Sequence, residues 1–392
     1  MSIQAGRTPS PVAYRPAPPQ HTVVPARPAV ARTLMWVAIV VLLVVCGLIA
    51  LVVVGLVTGP VGALVGLALA LLPVFPVAAT LLWLDRFESE PTSLLAFAFA
   101  WGATAAIVLS LVLSLPVTAL LEAGGAGPEV GTVVVAPIVE EVAKGLAVVG
   151  VLMIRRREFD GVVDGIVYAG LVGLGFALVE NVLYLGGAFL EDGLTGAVGL
   201  FVLRGVMSPF AHPLFTMAFG VGVGLAVRSR GAGRLLLPAL GLVVAIGLHA
   251  LWNLSAVVGA GDAFFGLYLV LQVPIFVAAV TFAVLARRRE GRLIATHLHP
   301  YAGSGWLTGQ EVAMLGSLPA RRQARQWAAR SSGPAGERAM RTFQELGSEL
   351  GFLRERMHHG AAPADAPQTE LDLLRTMWQL RVQFAPRPRA GR

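Results

Sequence analysis

The sequence predicts an all-α fold, in which a polytopic bundle of about eight transmembrane helices precedes a small helical cytosolic C-terminal region. The first observation is composition, since the 392 residues are 56% hydrophobic and only 14% charged, which is too apolar for a soluble chain of this length. The second is that apolar stretches long enough to span a bilayer recur along the chain. The third is that the chain turns polar from Arg287 onward.

The N-terminal segment, residues 1–32, is rich in Pro and Arg and has no acidic residue. Such a composition cannot bury a hydrophobic core, so we expect a disordered cytoplasmic tail. The first apolar run begins at Leu34 and is too long for a signal peptide.

Residues 33–290 are predicted to form the transmembrane core. Its candidate spans are residues 34–57, 61–84, 92–121, 130–154, 161–190, 198–227, 235–258 and 264–286. With these spans, the arginines of the connecting loops all fall on one side of the membrane: Arg86, Arg155–Arg157, Arg228, Arg230, Arg234 and Arg287–Arg289. By the positive-inside rule, we predict a multi-pass plasma-membrane protein with both termini in the cytoplasm.

The net charge of +7 comes from arginines beside apolar segments, which indicates membrane orientation and a lipid-bilayer environment. No nucleic-acid motif is present, so we expect no nucleic-acid partner. Cys46 is the single cysteine and cannot form an internal disulfide.

The C-terminal region, residues 291–392, shows helical periodicity over residues 310–329, 337–357 and 370–384. We predict a cytosolic helical appendage that packs together or lies on the membrane surface. A solvated tail with partial helicity is the alternative.

Ionisable groups inside the predicted spans are the strongest functional signal. The fourth span holds Glu140, Glu141 and the chain's only lysine, Lys144. A charge at bilayer depth is costly unless it is paired, hydrated or near a cavity, and it marks a functional site by default. Three other spans add polar groups, so the predicted catalytic set is Glu140, Glu141, Lys144, Glu180, Asn181, His212, His249 and Asn253.

These groups share one depth. At about 1.5 Å per helical residue, Glu140, Glu180 and His249 lie roughly 13–15 Å below the outer ends of their spans, and His212 roughly 12 Å. The spacing of Arg204, Ser208, His212 and Thr216 predicts one helical face, with Arg204 reaching the outer interface. We therefore expect these side chains to converge on one water-filled pocket. An ion pair between Glu140 and Lys144, and histidines that only join helices, are the structural alternatives.

Carboxylates beside imidazoles suit the activation of water next to a carbonyl group. A glutamate would act as general base, either Glu140 or Glu141, and Asn253 would donate to an oxyanion. Because zinc accepts His and Glu ligands, a catalytic Zn²⁺ is an open possibility, although the HExxH pattern is absent.

The motifs around these residues resemble the PrsW family of intramembrane proteases, within the larger group that includes the CAAX-processing enzymes. The matching segments are EEVAK (Glu140–Lys144), FALVEN (Phe176–Asn181), HPLFT (His212–Thr216), HALWN (His249–Asn253), DRFESEP (Asp85–Pro91) and FDGVVDGIVYAG (Phe159–Gly170). The resemblance implies a peptidase that cleaves membrane-associated proteins, such as single-span anti-sigma factors in bacterial stress signalling. It also implies that Glu140 or Glu141 is the base and that His212 and His249 complete the site. The family is often called a metalloprotease family.

Two other functions stay open at this point. Acids and histidines at mid-membrane depth also form proton relays, so a proton- or ion-coupled transporter is the alternative, although no internal repeat is visible. A non-catalytic scaffold that binds partners through its C-terminal helices is the third.

Overall fold

Ten helices make up the described part of this computed structural model, which comprises residues 29–87, 90–155, 159, 161–258, 262–360 and 362–384. They are α1 (Ala29–Leu84), α2 (Thr92–Ala123), α3 (Ala136–Ile154), α4 (Val162–Phe201), α5 (Ala211–Val227), α6 (Gly233–Val258), α7 (Ala263–Gly303), α8 (Gly309–Leu315), α9 (Leu318–His358) and α10 (Ala366–Phe384). These residues contain no strand, which confirms the all-α prediction.

The chain divides into two units, Met1–Leu42 and Leu43–Arg392. In the first unit the described residues, from Ala29 onward, are the beginning of α1. Most of the predicted disordered tail therefore lies outside the described residues. The contacts described below lie within the second unit.

Five stretches are long and apolar enough to cross a membrane: Thr33–Leu84, Thr92–Ala123, Val162–Val227, Gly233–Val258 and Ala263–Gly303. The first and third each contain two predicted spans. In the first, the chain bends at Gly59, whose φ of 62° favours glycine, and Pro60 follows. Helix α3, the predicted fourth span, is not among the five, and its three charged residues explain why. The protein is thus a multi-pass helical membrane protein.

Helix α4 lies at the centre of the bundle, and glycines let its neighbours approach closely. A Cβ atom on Gly175 would lie 2.0 Å from the carbonyl oxygen of Phe99 in α2. A Cβ atom on Gly165 would lie 2.0 Å from the carbonyl oxygen of Gly220 in α5, and one on Gly173 would lie 2.6 Å from that of His212. Small residues at such crossings are typical of helix packing in membranes.

The regular helix predicted through Arg204, Ser208, His212 and Thr216 is interrupted, although Arg204 and His212 both contact Glu180. Residues Val202–Met207 form a π-helical turn, and Ser208 leaves the helix with φ −129° and ψ 41°. The chain becomes α-helical again at Ala211. Pro209 and Pro213 have no N–H for an intrahelical hydrogen bond, so a regular helix cannot continue through this segment.

The C-terminal helices bury a hydrophobic core with the end of α7. It includes Ile294, Leu298, Leu315, Phe343 and Leu350, and Phe87 of the membrane-spanning part packs into it. The predicted boundary after residue 290 lies within α7, which continues to Gly303.

Candidate active site

Four helices bring the predicted polar residues together. Helix α3 contributes Glu140, Glu141 and Lys144, α4 contributes Glu180 and Asn181, α5 contributes His212, and α6 contributes His249 and Asn253. The structure therefore places residues of four separate helices around one site.

Lys144 is the central cation of the site. Its Nζ lies 3.2 Å from Glu140 Oε2, 2.9 Å from Glu141 Oε1 and 3.1 Å from His212 Nδ1. The side chain is fully buried, and Nζ lies 3.8 Å from the centroid of the Phe176 ring. The ion pair between Glu140 and Lys144 exists, but one ammonium group serves two carboxylates. Pairing with Lys144 therefore does not neutralise both Glu140 and Glu141.

Glu141 is completely buried and holds His249 in place. Its Oε1 lies 3.0 Å from His249 Nδ1, and its Oε2 accepts a hydrogen bond of 2.9 Å from Thr216 Oγ1. Because the carboxylate accepts, Nδ1 of His249 is the donor. In the neutral imidazole, Nε2 of His249 then carries the lone pair, and it lies 3.9 Å from Glu140 Oε2, a distance that one water molecule can bridge.

Glu180 holds the second imidazole. The Lys144 ammonium can only donate, so it donates to His212 Nδ1, and His212 Nε2 donates to Glu180 Oε2 at 2.6 Å. Arg204 forms an ion pair with Glu180 and donates from Nε to Asn181 Oδ1 at 2.7 Å. The sequence placed Arg204 at the outer interface, and the structure places it in the site.

Two further residues of the site were not assigned from the sequence. Tyr184 lies beneath Arg204, whose guanidinium carbon is 4.3 Å from the centroid of the ring. Thr216 belongs to the HPLFT segment and contacts Glu141. Each lies four residues after a predicted site residue, Glu180 or His212, and this spacing on a helix indicates the same face.

Asn253 is held by a contact with the backbone. Its Nδ2 donates a hydrogen bond of 2.8 Å to the carbonyl of Thr132, in the π-helical turn that precedes α3. One amide N–H of Asn253 is therefore engaged by the backbone.

A cavity of about 490 Å³ opens onto the site. Its polar lining includes Glu140, Glu180, Arg204, His212 and Asn253, whereas Glu141, Lys144 and His249 are not among the lining residues. The side chain of Glu140 is 12% exposed and that of Glu141 is 0% exposed. Of the adjacent glutamates, Glu140 is thus the one that water in the cavity can reach.

The residues present fit a zinc ion in type and spacing. Glu140, His212 and His249 each offer one ligand atom, and these atoms lie within 4.8 Å of one another. Both nitrogens of His212 already have partners, Lys144 and Glu180, so a metal would have to replace one of these hydrogen bonds.

Comparison with known proteins identifies relatives over the same part of the chain. Residues 90–279 match the model of a family described as PrsW family intramembrane metalloprotease. Protease PrsW of Clostridioides difficile strain 630 is 30% identical over 157 residues, which cover 39% of this chain and 64% of that protein. Protease PrsW of Geobacillus kaustophilus strain HTA426 is 33% identical over 144 residues, covering 36% and 58%. The chain thus spans less than two thirds of these relatives, and no solved structure matches it.

Proposed function

Since residues 90–279 match the model of the PrsW family, we propose that this protein is an intramembrane protease that hydrolyses peptide bonds of membrane-associated proteins. The observation that carries the proposal is Glu140. It faces a cavity of about 490 Å³, beside two imidazoles that accept or donate hydrogen bonds to fixed partners, among them Glu141 and Glu180. Hydrolysis within a bilayer needs this combination of a base and a water-accessible space.

In the proposed mechanism Glu140 is the general base. It removes a proton from a water molecule in the cavity while the water oxygen attacks the carbonyl carbon of the substrate. The tetrahedral intermediate collapses as the C–N bond breaks, and the proton on Glu140 passes to the departing amine. Lys144 donates a hydrogen bond to Glu140 and so holds this carboxylate in place. The lone pair of His249 Nε2 accepts a hydrogen bond from the water and orients it.

The remaining groups stabilise charge and geometry. Asn253 lines the cavity and has a second amide N–H, which can donate to the oxyanion of the intermediate. Glu180, Arg204 and Asn181 hold His212 against Lys144. These groups are positioning residues, since they act through His212.

Glu140, His212 and His249 are the residues that would hold a zinc ion. A bound zinc would supply a Lewis acid that lowers the pKa of a coordinated water molecule. As a ligand, Glu140 could not also be the base, and Glu122 and Glu180 would then be the remaining carboxylates in the cavity wall.

Single-span membrane proteins, for example of the anti-sigma-factor type in bacterial stress signalling, are the proposed substrates. We further propose that the arginine-rich loops and both termini lie in the cytoplasm, because the loops at the other end carry no Lys or Arg.

The proposal is tested by searching for cleavage sites that depend on Glu140. Cells producing either the wild-type chain or the variant Glu140→Gln are compared by mass spectrometry of protein N-termini in the membrane fraction. We expect new N-termini within or beside the spans of membrane proteins, and a reduction of about 10²- to 10⁴-fold in the variant, since this is the usual contribution of a general base.

Glu129→Gln is the matched control, because Glu129 is an exposed glutamate outside the site. This variant should retain cleavage at the wild-type rate. Cleavage that survives Glu140→Gln at equal protein level would refute the proposal, and solute movement in liposomes without any peptide cleavage would favour the transporter.

A further inference from the structure

A second polar cavity, of about 640 Å³, lies at the arginine-rich end of the bundle. Its wall is formed by Arg86 and Phe87 after α1, by Arg287 in α7, and by side chains of α9. It shares no lining residue with the cavity at Glu140. Its volume is in the usual range for small-ligand sites, about 300–1,000 Å³.

The charge of this cavity is strongly positive. Six arginines and one glutamate line it: Arg86, Arg287, Arg321, Arg322, Arg325, Arg341 and Glu345. Among the residues that the structure describes, no ion pair is found for Arg86, Arg322 or Arg341. These guanidinium groups therefore present unneutralised charge to the cavity.

The pKa of Arg325 reflects repulsion among the cations that line the cavity. Burial lowers this pKa, and repulsion from Arg341, Arg86 and Arg322 lowers it further. Like charges that line one cavity destabilise one another unless an anion is bound between them. Guanidinium groups bind phosphate oxygens with paired N–H donors, so phosphate is the anion that this arrangement suits best.

The floor of the cavity is rigid. Arg321 is 2% exposed and donates to the carbonyls of Leu315 and Phe87 and to Ser348 Oγ, at 2.8, 2.9 and 2.7 Å. Gln344 is also buried, and its Oε1 accepts a bond of 2.7 Å from Arg325 NH1. Arg321 is thus a structural residue, and its hydrogen bonds hold together the segments that carry the other arginines.

The position of the cavity indicates where its ligand comes from. The guanidinium of Arg287 lies 3.6 Å from the centroid of the Trp83 ring, at the last turn of α1. Tryptophan at the end of a membrane-spanning helix is typical of the headgroup level of a bilayer. Basic pockets at this level bind the headgroups of anionic lipids.

We propose that this cavity binds a phosphate group, and that its source is the headgroup of an anionic phospholipid in the adjacent leaflet. The lipid would join the end of α1 to α9 and thereby couple the C-terminal helices to the surrounding membrane.

The test uses the full-length chain, delipidated in a neutral detergent, and follows its melting temperature. Dioctanoyl phosphatidylglycerol, dioctanoyl phosphatidylcholine and inorganic pyrophosphate are titrated separately. We expect a saturable increase with phosphatidylglycerol and none with phosphatidylcholine. In the double variant Arg322→Gln/Arg341→Gln the apparent Kd for phosphatidylglycerol should rise about 30-fold, which corresponds to roughly 1 kcal/mol for each arginine.

The matched control is Arg330→Gln/Arg338→Gln, which removes two exposed arginines of the same helix that do not line the cavity. It should bind phosphatidylglycerol like the wild type. Saturable binding of pyrophosphate alone, lost in the first variant only, would keep the phosphate site and overturn the lipid source. Equal loss in both double variants, or no saturable shift with either anion, would overturn the site itself.

Discussion

The adjacent glutamates Glu140 and Glu141 have different surroundings, although they are identical in chemistry and neighbours in the chain. Glu141 has three hydrogen-bonding partners and no exposed surface, whereas Glu140 faces the cavity. The sequence can indicate that two carboxylates within a predicted span have a function, because burying any charged side chain in a bilayer costs free energy. It cannot show which one faces water, since that depends on the rotation of α3 against α5 and α6.

Arg204 illustrates the same limit. Its distance from His212 along the chain suggested a position at the outer interface, on the assumption of a regular helix. The π-helical turn Val202–Met207 and the break at Ser208 instead bring it to Glu180 and Asn181.

Asp85 provides a prediction about pH. Burial raises its pKa from 3.8 to about 8, although the backbone N–H of Glu90 donates to it at 2.9 Å. The folded state thus binds this proton more tightly than the unfolded state, and the free energy of unfolding should fall as the pH rises from about 4 to about 8. Asp85→Asn keeps an acceptor oxygen and cannot ionise, so its melting temperature should fall less between these pH values than that of the wild type.

The matched control is Asp372→Asn, because the side chain of Asp372 is 59% exposed. It should follow the wild-type pH dependence. If thermal melts of Asp85→Asn and wild type run parallel across this pH range, the assignment of the stability loss to Asp85 is incorrect.

At the scale of helices, the contact between α4 and α5 positions His212. The apolar stretches and their approximate ends follow from the sequence, because hydrophobicity and length are local properties. The close approaches at Gly173 and Gly175 do not, because they depend on which helices become neighbours.

Gly173→Ala should therefore reduce cleavage. The added Cβ would lie 2.6 Å from the His212 carbonyl oxygen and 2.7 Å from Pro213 N, so the backbone that carries His212 must move. A displacement of about 1 Å at a catalytic site can cost on the order of 100-fold in rate, and we expect a loss of that size. Cleavage rates in membranes, at equal protein level, provide the measurement.

Gly187→Ala lies on the same helix and has no neighbouring atom within 4 Å of the added Cβ. It should leave the cleavage rate near that of the wild type. A Gly173→Ala chain that is as active as Gly187→Ala would show that this contact does not position His212.

At the scale of the whole molecule, the membrane-spanning part and the C-terminal helices meet at Phe87. Its carbonyl accepts hydrogen bonds from Arg321 NH1 and Ser348 Oγ, at 2.9 and 2.6 Å. Helical periodicity after residue 309 was visible in the sequence. The contact with Phe87 was not, because no local pattern indicates a partner more than 200 residues away.

Truncation after Gly303 should preserve cleavage and lower stability. No described residue of the removed region lines the cavity at Glu140, but Phe87 would lose two hydrogen bonds, and the part of its core that lies beyond Gly303 would be removed. Cleavage per folded molecule should stay within a few-fold of the wild type while the melting temperature falls. A truncated chain that is folded but cleaves no substrate would show that the C-terminal helices take part in catalysis.

The most direct test of the account is where the oxygen of water goes during one turnover. The purified chain, reconstituted in liposomes and in excess over a cleaved membrane protein, is allowed to react once in H₂¹⁸O, and both proteins are analysed by mass spectrometry. If Glu140 acts as a base, the new C-terminal carboxylate of the product carries the label and Glu140 carries none. Label in the side chain of Glu140 would instead mean that Glu140 attacks the substrate directly, which contradicts the account.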